Sequence, residues 1–294
     1  MTSEQIDQVR RFHRLVTQRA GALDDHFLGR DRPLGHSRVL FEIGASGADL
    51  RELRARLGLD SGYLSRIVQS LEGAGLVSVR AAPGDERVRR AELTEAGRAE
   101  VALMDRRSDE AAEAILAPLT EPQRERLVAA MAEVHGLLRV AGARIERVDP
   151  AADAARWCVS RYYAEIARRF EGGFDPARTL PYGDDDFRAP RGVFVVASVD
   201  GEPVACGGVT TIAPEIGYLK RMWVAASMRG LGFGRRMLGA FEDEARRLGF
   251  HALRLETNRA LTEAIRLYES TGYRQVAPFN AEPHADFWFE KRLD

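Results

Sequence analysis

Residues 219–235, LKRMWVAASMRGLGFGR, hold the pattern that decides the fold of the second half of the chain. A strand-like run from Leu219 to Val224 leads into Arg229-Gly230-Leu231-Gly232-Phe233-Gly234, and a helix follows over Gly232 to Leu248. Glycines admit positive φ, so successive backbone N–H groups can converge on one concavity. A helix N-terminus directly behind them adds unsatisfied donors and the positive end of its dipole. Together these features suit a diphosphate. The plain alternative is a glycine-rich turn between strand and helix that holds nothing.

Working outward, Val193 to Ala197 reads as a buried strand, Asp200-Gly201 as a hairpin turn, and Pro203 to Thr211 as the returning strand. Downstream come a strand over Ala252 to Glu256, a helix over Leu261 to Thr271 and strands near Tyr273 and Phe287. Upstream, Asp149-Pro150 precedes an amphipathic helix reaching Phe170, and Arg144 to Val148 has the pattern of a strand. Residues 143–294 therefore read as one α/β domain.

Arg229, Gly232 and Gly234 match Arg/Gln-x-x-Gly-x-Gly/Ala, and the segment resembles motif A of the GNAT superfamily of N-acetyltransferases. Leu255-Glu256-Thr257-Asn258 and the run from Ala264 to Tyr273 are similar to motif B of that superfamily. A dinucleotide-binding fingerprint fits less well, because the arginine precedes the glycines and no acidic residue suited to a ribose follows. The resemblance implies a mixed sheet splayed at its centre, acetyl-CoA as co-substrate, no metal, and direct acetyl transfer to a primary amine. It places the diphosphate on the amides of Arg229, Gly230, Leu231, Gly232, Phe233 and Gly234. The pantetheine arm then lies along Met222, Trp223 and Val224, with the Val224 amide on the developing oxyanion. Tyr268 is the implied proton donor to the departing thiolate, and Asn258 the residue fixing the cofactor arm.

One position departs from the pattern. Many relatives carry a glutamate on the strand just before the Lys-Arg pair, where this chain has Tyr218. The base that deprotonates the amine is therefore open between Glu256, Glu215 and a water chain. Arg221, Tyr182, Asn280 and His284 are candidates for the acceptor pocket. Arg221 offers a bidentate fork to a carboxylate, as an amino-acid acceptor would require.

The first half of the chain has a different texture. Asp49 to Leu57, a turn at Gly58-Leu59-Asp60, and Ser61 to Glu72 form a helix-turn-helix pattern around Leu50, Leu53, Leu57, Leu64, Ile67 and Leu71. The second helix leaves Ser61, Gly62, Tyr63, Ser65, Arg66 and Gln69 on its outer face, a thin polar surface that fits a major groove. A hairpin follows and offers Arg80, Arg87, Arg89 and Arg90 to flanking phosphates or the minor groove. Its Asp85-Glu86-Arg87 and its exit Leu93-Thr94-Glu95-Ala96-Gly97 make residues 1–142 resemble the MarR family of transcriptional regulators. That resemblance implies double-stranded DNA as partner and a homodimer built on the end helices, Gln5 to Ala20 and Thr94 to Val140.

The fold class is thus multidomain: a mostly-α winged helix-turn-helix domain over 1–142, then an α/β GNAT domain with a mixed, centrally splayed sheet over 143–294. The net charge of −1 gives no bulk attraction to nucleic acid or membrane, so a basic surface has to be local. Cys158 and Cys206 sit apart in apolar runs and read as buried thiols, and the histidines show no ligand spacing. The first residues, MTSEQIDQVRRFHRL, lack the apolar region of a signal peptide, and no apolar stretch is long enough to span a bilayer. A cytoplasmic protein is the expectation. Regulator and enzyme in one chain is the main reading. A regulator that senses acyl-CoA without turnover and an acetylase of protein lysines remain open beside it.

Overall fold

The computed structural model describes residues 1–82 and 85–293, with side chains for all of these except 82 and 85–87. Contacts divide the chain into two units, Met1–Arg126 and Leu127–Asp294.

The first unit begins with α1 (Ser3–Arg19), opened by a capping box in which Thr2 and Gln5 exchange hydrogen bonds. None of its residues is buried, and its apolar stripe of Ile6, Val9, Phe12, Leu15 and Val16 faces out. Then come α2 (Leu34–Ile43), β1 (Ala48–Asp49), α3 (Leu50–Leu57) and α4 (Ser61–Gly73). The turn between α3 and α4 follows from its residues. Gly58 takes the left-handed conformation that ends α3, and Asp60 accepts from the Tyr63 amide at 2.8 Å to start α4. Leu53, Leu64, Ile67 and Leu71 are buried against Val39, Leu40 and Ile43 of α2. The strands β2 (Val77–Ala82) and β3 (Asp85–Leu93) pair antiparallel, and β1 adds to β3 to make a three-stranded sheet.

Thr94 caps α5 (Glu95–Leu116) by accepting from the Gly97 amide at 3.0 Å. A Cβ at Gly97 would stand 2.0 Å from the Leu76 carbonyl oxygen, so the first turn of α5 can cross the start of β2 only with glycine there. The division between the units falls inside α6 (Glu121–Gly142), ahead of the change in composition near residue 143. From Leu127 onward the helix packs with the second unit. A Cβ at Gly136 would meet Leu231, and Arg236 donates to the carbonyls of Val140 and Ala143.

The second unit is built on a seven-stranded sheet in the order β4-β5-β6-β7-β8-β10-β9. The strands are β4 (Arg144–Val148), β5 (Gly192–Val199), β6 (Glu202–Ala213), β7 (Ile216–Val224), β8 (Ala252–Thr257), β9 (Arg274–Val276) and β10 (Phe287–Arg292). The helices α7 (Asp153–Arg169), α8 (Phe233–Arg247) and α9 (Thr262–Ser270) join the end of α6 in this unit. Alternate residues of β5 serve two cores. Val193, Val195 and Ala197 join the cluster of α8 (Met237, Leu238, Phe241), while Phe194 and Val196 join that of α7 (Ala155, Cys158).

The sheet splays at its centre. β7 and β8 run parallel but pair only from Ile216 to Tyr218 with Ala252 to Arg254. Beyond that point β7 continues to Val224 and β8 to Thr257 without pairing to each other. Among the described residues no helix is long and apolar enough to cross a membrane.

Candidate active site and nucleic-acid interface

Below the splay lies a cleft of about 470 Å³, bordered by Met222, Trp223 and Val224 on β7, by the turn Arg229–Gly234, and by Leu267 and Tyr268 on α9. The turn is shaped by its glycines. Gly230 and Gly232 have φ of 75° and 76°, and a Cβ built on either meets nothing within 4 Å, so both face open space. Gly232 caps α8 without any side-chain hydrogen bond, leaving the first-turn amides to a ligand. Phe233 points its ring into the core, fully buried, and contributes main chain alone.

Strand β7 is bent where the cleft begins. Cys206 pairs with Trp223 and Gly208 with Lys220, so β7 carries one extra residue, and Arg221 takes φ of 58° within this bulge. That backbone costs about 1–3 kcal/mol in a residue other than glycine. Past the bulge the Ala225 amide donates to Val204 on β6 at 2.8 Å. Strand alternation then turns the Val224 N–H the other way, into the splay, which is the direction an oxyanion donor needs.

Arg229 works as a brace. Its guanidinium donates to the Val224 carbonyl at 2.8 Å and to Glu165 at 2.6 Å, and Glu165 also accepts from the Trp223 indole at 3.0 Å. Burial pushes the Glu165 carboxyl up, but Arg229, Trp223 and Arg169 outweigh it and hold the group below its ordinary range. Glu165 is absent from the sequence reading. It lies on α7 and nothing local marks it.

Tyr268 borders both this cleft and a second chamber of about 100 Å³. Its hydroxyl lies 4.0 Å from the Met222 sulfur. Burial, then the charge of Glu256, lifts Tyr268 above the ordinary phenol range, so it stays protonated at neutral pH. Tyr162, also missed in the sequence, lines both spaces and is shifted upward for the same first reason.

The second chamber brings together Glu256, Tyr182, His284 and Arg221 from the sequence reading, and adds Lys220 and Glu282. Lys220 reaches Glu256 at 2.6 Å and Glu282 at 3.2 Å. Tyr218, fully buried beneath them, takes hydrogen bonds on its hydroxyl oxygen from Asn280 at 2.8 Å and from Lys220 at 3.2 Å. Burial, then the charge of Glu256 and a hydrogen bond to it, drives Tyr218 far above the ordinary phenol range. The position that departs from the GNAT pattern is thus a neutral strut under the charged trio.

Several candidates move. Glu215 sits in the turn before β7 and accepts from the His251 amide there, at the far end of the strand from Val224. At ~3.3 Å per residue it lies roughly 13 Å along the strand from Leu219, where the second chamber begins, and roughly 23 Å from Met222 at the cleft, too far for direct proton transfer. Asn258 borders the second chamber rather than the larger cleft, and its side chain is spent on the His284 carbonyl and the Ala260 amide, at 2.9 Å each. Asn280 holds Tyr218 and accepts from the Trp288 indole at 2.8 Å, outside the chamber lining. Arg221 donates to the Tyr182 carbonyl at 2.7 Å and lies over the Phe187 ring at 5.1 Å, so one arm of its fork is already engaged.

On the first unit, α4 buries Leu64, Ile67, Val68 and Leu71 and exposes Ser61, Gly62, Tyr63, Ser65, Arg66 and Gln69 on one surface. Arg80 and Arg89 are exposed on the hairpin. The side chain of Arg87 falls outside the described residues. Arg90 is structural: it ties β3 to the carbonyls of Ser46 and Gly47.

Residues 160–273 match the family model described as Acetyltransferase (GNAT) family, and residues 29–88 match that described as MarR family. The chain is 43% identical over 88 residues to the IAA acetyltransferase of Azospirillum brasilense, covering 29% of this chain and 57% of the relative. It is 30% identical over 93 residues to the Escherichia coli K12 N-acetyltransferase YjgM, covering 31% of this chain and 56% of that one. The chain therefore spans little more than half the length of either relative. A solved GNAT-family acetyltransferase of Staphylococcus aureus Mu50 aligns over 52% of this chain and 99% of its own, at 15% identity and a TM-score of 0.44.

Proposed function

Because one chain carries a MarR-family region at residues 29–88 and a GNAT-family acetyltransferase region at residues 160–273, we propose that it is a DNA-binding regulator that also transfers acetyl from acetyl-CoA to a small primary amine. The observation that carries the enzymatic half is the pairing of an uncapped, glycine-cornered helix start with a splayed strand, both on one cleft.

Acetyl-CoA, when bound, supplies an activated acyl group and a thiolate leaving group. The amides of Leu231 to Gly234 would hold its diphosphate, and the free edge of β7 from Met222 to Val224 would hold its arm. Glu256 takes one proton from the acceptor ammonium before attack. The nitrogen lone pair then forms the new N–C bond while Val224 N–H steadies the charge on oxygen. The C–S bond breaks, its electron pair leaves on sulfur, and Tyr268 protonates that sulfur. The second nitrogen proton returns to the phenol, and Glu256 passes its proton to solvent. Each turnover releases one proton net. The test is thiol release from acetyl-CoA across a library of amines. Release that depends on the amine is expected, and no release above hydrolysis with any amine would leave the sensor and protein-lysine readings.

For the regulator, α4 enters the major groove and Arg80 and Arg89 contact flanking phosphates. The exposed apolar stripe of α1 supports a homodimer, which then reads a two-fold site. Arg66→Ala should weaken binding to a selected duplex at least tenfold and lower the log–log salt slope by about 1, measured by fluorescence anisotropy. Unchanged affinity and slope would remove α4 as the reading helix.

A further inference from the structure

The chamber beside the cleft holds one negative charge too many. Lys220 is the single ammonium facing Glu256 and Glu282, whose side chains are only 6% and 5% exposed. Each carboxylate uses one oxygen on that lysine, Tyr218 also hydrogen-bonds to Glu256, and Glu282 also accepts from the Leu180 amide at 3.2 Å. Glu256 Oε2, Glu282 Oε1 and His284 Nε2 are buried and have no hydrogen-bond partner among the described residues. Buried polar atoms in that state are costly, and the two carboxylate oxygens, which can only accept, point to a donor that arrives from outside. The local charge requires that donor to be a cation.

The rest of the wall is made of rings. Tyr163 and Phe174 lie stacked with centroids 5.5 Å apart, Phe174 abuts His284 at 4.9 Å, and Tyr162 closes the side towards the cleft. Ring faces attract an ammonium and also take up a flat apolar body. A carboxylate meets no unpaired lysine or arginine among the described lining residues. The lining cations are Lys220, paired twice, and Arg221, engaged by the Tyr182 carbonyl.

Resting on the transferase reading above, we infer that the acetyl acceptor is a small primary amine bound as its ammonium, with an aromatic or branched apolar body and no carboxylate beside the nitrogen. The ammonium donates to Glu256 Oε2 and Glu282 Oε1 while its body lies among Tyr162, Tyr163 and Phe174. Glu256 is then placed to take the proton that must leave before attack. α-Amino acids are excluded by their own carboxylate, which would face two fixed negative charges.

The matched pair phenethylamine and phenylalanine differs only by that carboxylate. With the full chain and acetyl-CoA, kcat/KM for phenethylamine should exceed that for phenylalanine by on the order of 100-fold, as like charges a few ångströms apart in a partly buried site require. Nα-acetyl-lysine amide, the protein-lysine mimic, should fall below phenethylamine at least tenfold. Glu282→Gln should shrink the phenethylamine preference about tenfold while leaving the acetyl-CoA Kd unchanged, and the wild-type comparison decides even where that variant folds poorly. Calorimetric titration with acetyl-CoA separates the two readings. If acetyl-CoA fails to bind, the transferase reading falls. If it binds normally but phenylalanine or the lysine amide is preferred, or phenethylamine is neither bound nor acetylated, the acceptor assignment alone is overturned.

Discussion

Gly232→Glu should abolish measurable acetyl-CoA binding, an expected loss of at least about 100-fold in affinity by calorimetry. Two separate effects act at this one position. Gly232 has φ of 76°, where any side chain is strained at a cost of about 1–2 kcal/mol. A Cβ there meets nothing within 4 Å, so the new carboxylate would project into the space left for the diphosphate. Its charge would then oppose the ligand where the helix dipole should favour it. Gly232→Ala carries the backbone strain without the charge and should lose no more than about tenfold. The contrast between the two variants isolates the electrostatic part. Equal affinity in Gly232→Glu and the parent would place the diphosphate elsewhere.

Tyr268→Phe should lower kcat by about 100- to 1000-fold, in the range usual for loss of a positioned proton donor. The ring stays, so packing against Tyr273 and Phe289 persists and KM for acetyl-CoA should change less than threefold. A neutral, buried phenol that borders both spaces is placed to meet the sulfur as it leaves. A structural role alone would lower the melting temperature and affect KM and kcat together. Stopped-flow measurement of thiol release separates these outcomes, and a kcat within threefold of the parent would return Tyr268 to the core.

The parts of this account that were legible in the sequence are those that local chemistry determines. Gly230 and Gly232 declare a turn with positive φ, and Asp60 and Thr94 declare helix starts. The spacing of Leu64, Ile67 and Leu71 separates the inner face of α4 from the outer one. What escaped the sequence depends on pairing at a distance. Glu165 meets Arg229 across 64 positions, and Lys220 meets Glu282 across 62, because α7 and the loop before β10 fold onto the end of β7. The Asp286 amide bonds to the Thr257 carbonyl at 2.9 Å, which draws residues 280–286 over the end of β8. Glu215 shows the reverse error. Closeness to Tyr218 in the chain suggested closeness to the chemistry, but an extended strand carries its two ends apart. The bulge at Arg221 was equally hidden, since a non-glycine residue at positive φ leaves no mark in composition. That bulge turned a candidate carboxylate fork towards the Tyr182 carbonyl and changed the expected acceptor.

The central claim is that main-chain amides at the start of α8 hold the diphosphate of acetyl-CoA. A crystal structure of the full chain with acetyl-CoA tests it most directly. Phosphate oxygens are expected within about 3.2 Å of at least three amides between Leu231 and Arg235, with the thioester carbonyl on Val224 N–H. Density for the diphosphate elsewhere on the protein, with those amides facing solvent, would contradict it.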